Sequence, residues 1–110
     1  IPMMSFSVIL ENLFQNIYPR HLAATHTHIY TEKSIKYLLS KFNMKIVAEW
    51  WFGTDFLDMY RSMQVNLKKN KSNLNFHLEN YLLKNIDNFQ RIIDQNRTSS
   101  ELHFIAKIKN

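Results

Sequence analysis

The stretch TEKSIKYLLSKFNMKIVAEWWFGTD, residues 31–55, decides the fold, because its hydrophobic period changes from helical to alternating partway along. Ile35, Leu38, Leu39 and Phe42 recur at helical spacing, Thr31 is a good N-cap, and Glu32 puts a carboxylate in the first turn, where it meets the positive end of the helix dipole. Asn43 can close this helix in the left-handed conformation, a post that glycine more often fills. From Met44 to Phe52 the period is two, with Ile46, Ala48, Trp50 and Phe52 on one face and Val47 and Trp51 on the other. Both faces are apolar, which predicts an interior strand with both tryptophans in the core. Gly53 ends that strand. Thr54 and Asp55 then open another helix with a capping hydroxyl and an early carboxylate.

Upstream, Phe6, Ile9, Leu10, Leu13, Phe14 and Ile17 predict an amphipathic helix from Met4 to Ile17, stopped by Pro19. Arg20 to Tyr30 has no period, carries three of the five histidines, and reads as a loop. Downstream, Phe56, Met59, Tyr60, Met63 and Leu67 continue the helix that Thr54 opens. Leu78, Tyr81, Leu82, Ile86, Phe89 and Ile93 predict a long helix from Asn75 to Gln95. Leu102, Phe104, Ala106 and Ile108 alternate with His103, Ile105, Lys107 and Lys109, which predicts a strand running to the C-terminus. The predicted order is α-α-β-α-α-β, an α/β chain with a two-stranded antiparallel sheet and helices packed on it, in one domain over residues 1–110. Two strands do not cover a hydrophobic face, and bare sheet edges recruit further strands, from another part of the protein or from a second copy.

Composition narrows the chemistry. With no cysteine, thiolate catalysis, disulfide scaffolds and Cys-based metal sites are excluded, and the cytoplasm is the expected compartment. One glycine in 110 residues excludes both the dinucleotide-binding and the P-loop phosphate cradles, each of which needs several. The net charge of +5 has one cluster, Lys68, Lys69 and Lys71, in an Asn/Ser-rich loop. It reads as a solvated turn, so nucleic acid is not expected as a partner. The polar faces of the amphipathic helices are not enriched in Lys and Arg, so no membrane surface is expected either, and no apolar run reaches the roughly 18 residues of a membrane span.

His28-Ile29-Tyr30-Thr31, Ser34-Ile35, Leu38-Leu39 and Asn43-Met44 resemble a pattern in the C-terminal half of class I S-adenosylmethionine-dependent methyltransferases. There a histidine, a helix opening with Ser-Leu, a Leu-Leu pair and a Gly-Phe pair lead into the sixth strand. Asn43 stands in for the glycine and Met44 for the phenylalanine. Gly53-Thr54-Asp55 is similar to the Gly-x-Asp found after that strand, and Glu101 to Lys109 is similar to the seventh strand. The resemblance implies a Rossmann-like sheet of which this chain is the C-terminal, substrate-capping end, with Ile1-Pro2 just after the fifth strand. It also implies methyl transfer from S-adenosylmethionine to a small-molecule acceptor in the full-length enzyme. The glycine-rich cofactor half would lie upstream, so no cofactor is expected on this chain alone and the chain by itself would be inactive.

His26 and His28 form a His-x-His pair near His21, too few ligands for a metal, and none is expected. The resemblance implies that His26, His28, Tyr30 and Trp51 line the substrate mouth. His28 could take a proton from a hydroxyl or acidic carbon as the methyl arrives; alternatively it hydrogen-bonds the start of the second helix. Asp55 and Asp58 read as helix-start carboxylates rather than a catalytic pair. With the fifth strand absent, Leu102 to Ile108 would have a bare edge, along which two copies are expected to pair as a homodimer. The alternative from another class is a non-catalytic, dimeric interaction module presenting its apolar first helix.

Overall fold

The computed structural model describes residues 1–14, 21, 26–69 and 72–110. Among them the chain is a mixed α/β structure with four helices and a two-stranded antiparallel sheet: α1 (Phe6–Leu13), α2 (Glu32–Lys41), β1 (Met44–Phe52), α3 (Asp55–Leu67), α4 (Asn75–Gln95) and β2 (Glu101–Ile108).

Helix α2 follows its sequence closely. The Thr31 hydroxyl accepts from the Ser34 N–H and the Ser34 hydroxyl from the Thr31 N–H, a reciprocal capping box, and Asn43 closes the helix at φ 51°. Helix α1 starts at Phe6 rather than Met4, capped by the Ser5 hydroxyl, and Phe14 is already extended. The expected continuation to Ile17 and the stop at Pro19 lie outside the described residues. Thr54 precedes α3 without a side-chain cap bond, against expectation; the Phe56 N–H in the first turn donates to the Gln90 side-chain oxygen of α4 instead.

The start at Phe6 has a tertiary cause. Ile1–Met3 runs antiparallel along the first residues of β2: the Ile1 nitrogen donates to the Leu102 carbonyl at 2.8 Å, Leu102 N–H donates to the Ile1 carbonyl, and Met3 N–H to that of Ser100. On its other side this segment meets Tyr30 in parallel fashion, with Tyr30 N–H donating to Pro2 and Met4 N–H to Tyr30. The β2 edge expected to be bare from Leu102 onward is therefore covered at Leu102 by Ile1.

Within the sheet, a bulge between Ile46 and Ala48 breaks the alternation read from sequence. One extra residue, Val47, changes the phase, so Ile46 and Trp51 share the inner face while Trp50 and Phe52 take the outer one. The outer face is open: Trp50 is 49% exposed and is met edge-on by the His103 ring, as is Phe52. Trp50 is thus not a core residue, and β1 pairs with β2 alone among the described residues, so it is an edge strand in this chain.

Two cores result. Met3, Ile35, Leu39 and Leu102 form one under the sheet, with Tyr30, Ile46, Trp51 and Phe104 packed around it. Phe56, Tyr60 and Leu82 form the other between α3 and α4, where Phe56 stacks on Phe89 at 4.5 Å. The helices do not all pack on the sheet, as expected from sequence; α3 and α4 pair with each other as a projecting hairpin. The radius of gyration is accordingly 17.1 Å and the longest extent 62 Å, against about 13 Å of radius for a compact domain of this length.

Candidate functional site

The two cores meet at a buried carboxylate. Asp55, fully buried, accepts from the Ser7 hydroxyl (2.7 Å) and N–H (3.2 Å) on α1, and from the Ser100 N–H (2.9 Å) at the start of β2. Gln90 of α4 lies 3.4 Å from its other oxygen, accepts from the Phe56 N–H and donates to Asp94, which also accepts from the Ser99 hydroxyl. A carboxylate has about four acceptor positions, and these donors fill them. Asp55 is therefore a tether between α1, α3, α4 and β2, and its Gly53 neighbour is explained by it. A Cβ on Gly53 would sit 2.5 Å from Asp55 Oδ2 and 2.5 Å from Ser100 Oγ.

Above the sheet-side core, the tether leaves two adjoining clefts. The first, about 390 Å³, is bounded by Met4, Thr31, Lys33, Trp51 and Arg97. The second, about 450 Å³, is apolar, lined by Met4, Val8, Ile9, Leu13 and Ile29, and shares Met4 and Thr31 with the first. Arg97 sits 5.5 Å over the Trp51 ring and makes ion pairs with Glu49 and, at 3.6 Å, with Glu32. It does so from an unusual backbone. Arg97 follows α4 at φ 58°, with its own N–H donating to Asp94 and that of Thr98 to Ile93, the hydrogen-bond pattern of a helix end where glycine is the common choice. A side chain there costs roughly 1 kcal/mol, offset by the Glu49 pair and the indole contact.

The residues expected at a substrate mouth are separated. Trp51 lines the first cleft and packs on the core; its indole N–H is buried and has no hydrogen-bond partner among the described residues. Tyr30 is held by its backbone to Pro2 and Met4, with its ring against the same core. His28 is exposed, stacks on Tyr30 at 6.3 Å and approaches the Thr27 hydroxyl at 2.8 Å. It makes no bond to the start of α2, which the Thr31–Ser34 box satisfies. His26 Nδ1 lies 3.0 Å from the His21 carbonyl, and His21, fully buried, is 2.6 Å from Glu11. Neither His26 nor His28 lines either cleft. Among the described residues no three His, Asp or Glu side chains converge as metal ligands would.

Sequence reasoning missed Arg97, Lys33, Met4 and the acceptor role of Asp55. The only local signal was the Gly-x-Asp spacing itself. Arg97 occupies a position where composition would have favoured glycine, so its role is visible only in three dimensions. No helix among the described residues is long and apolar enough to cross a membrane. The chain matches no protein-family model, no curated protein and no solved structure.

Proposed function

We propose that the chain is the C-terminal, substrate-capping end of a class I S-adenosylmethionine-dependent methyltransferase with a Rossmann-like sheet, which in the whole enzyme methylates a small-molecule acceptor. The observation that carries the reading is the strand order. β2 lies between β1 and Ile1–Met3 and is antiparallel to both, which suits a seventh strand set between a sixth and a fifth, with Ile1–Met3 as the end of the fifth rather than the segment just after it. The open outer face of the sheet supports it further, because sheets of this class are covered on both sides.

S-adenosylmethionine does not fit this chain by itself. Gly53 backs onto Asp55 and Ser100 and lines neither cleft, so no glycine cradle exists here for the cofactor. In this reading Trp51, Thr31 and Met4 border the acceptor, and the proton-taking role is not assigned to His28, which lines neither cleft. The reading frame upstream of Ile1 is expected to encode a strand, a Gly-x-Gly turn and a helix; a frame without them overturns the proposal. Calorimetry of the isolated chain is expected to register no S-adenosylmethionine binding in the micromolar range.

A second reading, a non-catalytic dimeric interaction module, is favoured by one observation, the apolar outer face of Val47, Trp50, Phe52 and Ile105. It shares with the first the expected pairing of two copies along the part of β2 beyond Leu102. Light scattering at tens of micromolar that finds a monomer rejects that pairing.

A further inference from the structure

The end of the α3–α4 hairpin farthest from the sheet exposes apolar side chains that its own core does not use. Leu74, Phe76, Tyr81, Leu83 and Val65 are between 46% and 71% exposed. At 3.6 residues per turn, Leu74 and Tyr81 lie on one flank of α4 and Phe76 and Leu83 on the other, with Leu82 and Ile86 between them facing α3. The apolar arc thus wraps about half of the helix, and α3 covers only its middle. A partner helix or groove covers one flank. An apolar phase that surrounds the tip covers both.

Charge selects among such phases. Residues 64–84 carry four lysines, Lys68, Lys69, Lys71 and Lys84, against one carboxylate, Glu79. Lys68, Lys69 and Lys84 are exposed; Lys71 lies outside the described residues. A second copy of the same tip would bring like charges together, which disfavours self-pairing there. An anionic surface is complementary, and exposed leucine, phenylalanine and valine side chains suit hydrocarbon better than the polar groove of a nucleic acid.

We propose that the hairpin tip docks on the surface of an anionic lipid bilayer, with Leu74, Phe76, Tyr81 and Leu83 at headgroup depth and the ammonium groups of Lys68, Lys69 and Lys84 among the lipid phosphates and carboxylates. The absence of a membrane partner expected from sequence came from weighing each helix by itself. Lys68 and Lys69 join the apolar flanks of α4 only in the folded hairpin. Docking of this kind is peripheral, in keeping with the lack of a membrane-spanning helix among the described residues, and it is independent of the methyltransferase reading.

The test is co-sedimentation of the full chain with vesicles of phosphatidylcholine alone or with about one-third phosphatidylserine. Binding is expected to the anionic vesicles only and to fall steeply at high salt. Lys68→Gln and Lys69→Gln are each expected to weaken it about fivefold, on the basis of roughly 1 kcal/mol per basic residue near such a surface. The double variant Leu74→Ser/Phe76→Ser, whose altered side chains are exposed, is expected to keep its circular dichroism and lose at least tenfold in binding. A chain that stays in solution with anionic vesicles overturns the proposal. So does unchanged binding by Leu74→Ser/Phe76→Ser, which would mean charge adsorption alone. Tighter capture by an oligonucleotide than by the vesicles, equally dependent on Leu74 and Phe76, also overturns it and assigns the tip to nucleic acid.

Discussion

The sheet-side core and the hairpin core differ in how they are assembled. Met3, Ile35, Leu39 and Leu102 come from three separate parts of the chain, the N-terminal segment, α2 and β2, and are closed over by Tyr30, Trp51 and Phe104. Phe56, Tyr60 and Leu82 come from two consecutive helices and are flanked by half-buried methionines and isoleucines. The first core therefore exists only when the whole fold does, whereas the second depends on local pairing and thins toward its tip. Asp55 joins the two, so the hairpin is anchored by hydrogen bonds at its base and by little beyond Leu82. Sub-global opening is expected to begin at the far end of the hairpin.

The comparison breaks most sharply at the tether. Asp55→Ala leaves the Ser7 and Ser100 N–H groups buried without an acceptor, while the Ser7 hydroxyl keeps Asp58, and a loss of about 3 kcal/mol is expected in urea unfolding. If the variant is nearly as stable as the parent, the cores are not coupled through this carboxylate. Next in size, Leu102→Ala is expected to cost about 3 kcal/mol and to lower protection against hydrogen exchange throughout, while Leu82→Ala costs about 2 kcal/mol with the loss concentrated in α3 and α4. Equal patterns of exchange would show that the two cores form one cooperative unit. Gly53→Ala forces a Cβ against Asp55 and Ser100, with about 2 kcal/mol lost and a lower melting temperature as the readout. The smallest effect belongs to Arg97. Arg97→Ala keeps the left-handed backbone and loses the Glu49 and Trp51 contacts, at a cost of about 1 kcal/mol, whereas Arg97→Gly relieves the backbone and ends within about 0.5 kcal/mol of the parent. A larger loss in the glycine variant would mean that the ion pairs outweigh the backbone term.

Much of this was legible along the chain. Strand β1 spans Met44–Phe52 and α4 spans Asn75–Gln95, as the periods and the flanking loops predict. Thr31, Asn43 and Gly53 punctuate the elements where their local chemistry says they should. The misreadings share a cause. Assigning Trp50 to the core assumed that both apolar faces of β1 are covered, whereas its outer face stays open among the described residues; the bulge at Val47, which sets Ile46 on the face of Trp51, leaves no compositional trace. The Met4 start of α1 overlooked strand pairing of Ile1–Met3, which is fixed by β2 from the other end of the chain. Of the expected site residues, Trp51 alone lines a cleft, because His26 turns to the His21 carbonyl and His28 stacks on Tyr30, contacts that no local period encodes.

The sequence by itself determined the elements and their order, since helix and strand periods, caps and turn residues act over a few positions. Only the tertiary structure decided which face of each strand is buried, what Asp55 holds together and where Lys68 and Lys69 stand relative to the exposed leucines and phenylalanine. Those features depend on contacts between residues tens of positions apart, and the entropy of closing such loops is recovered only by burial and hydrogen bonding that no local pattern encodes.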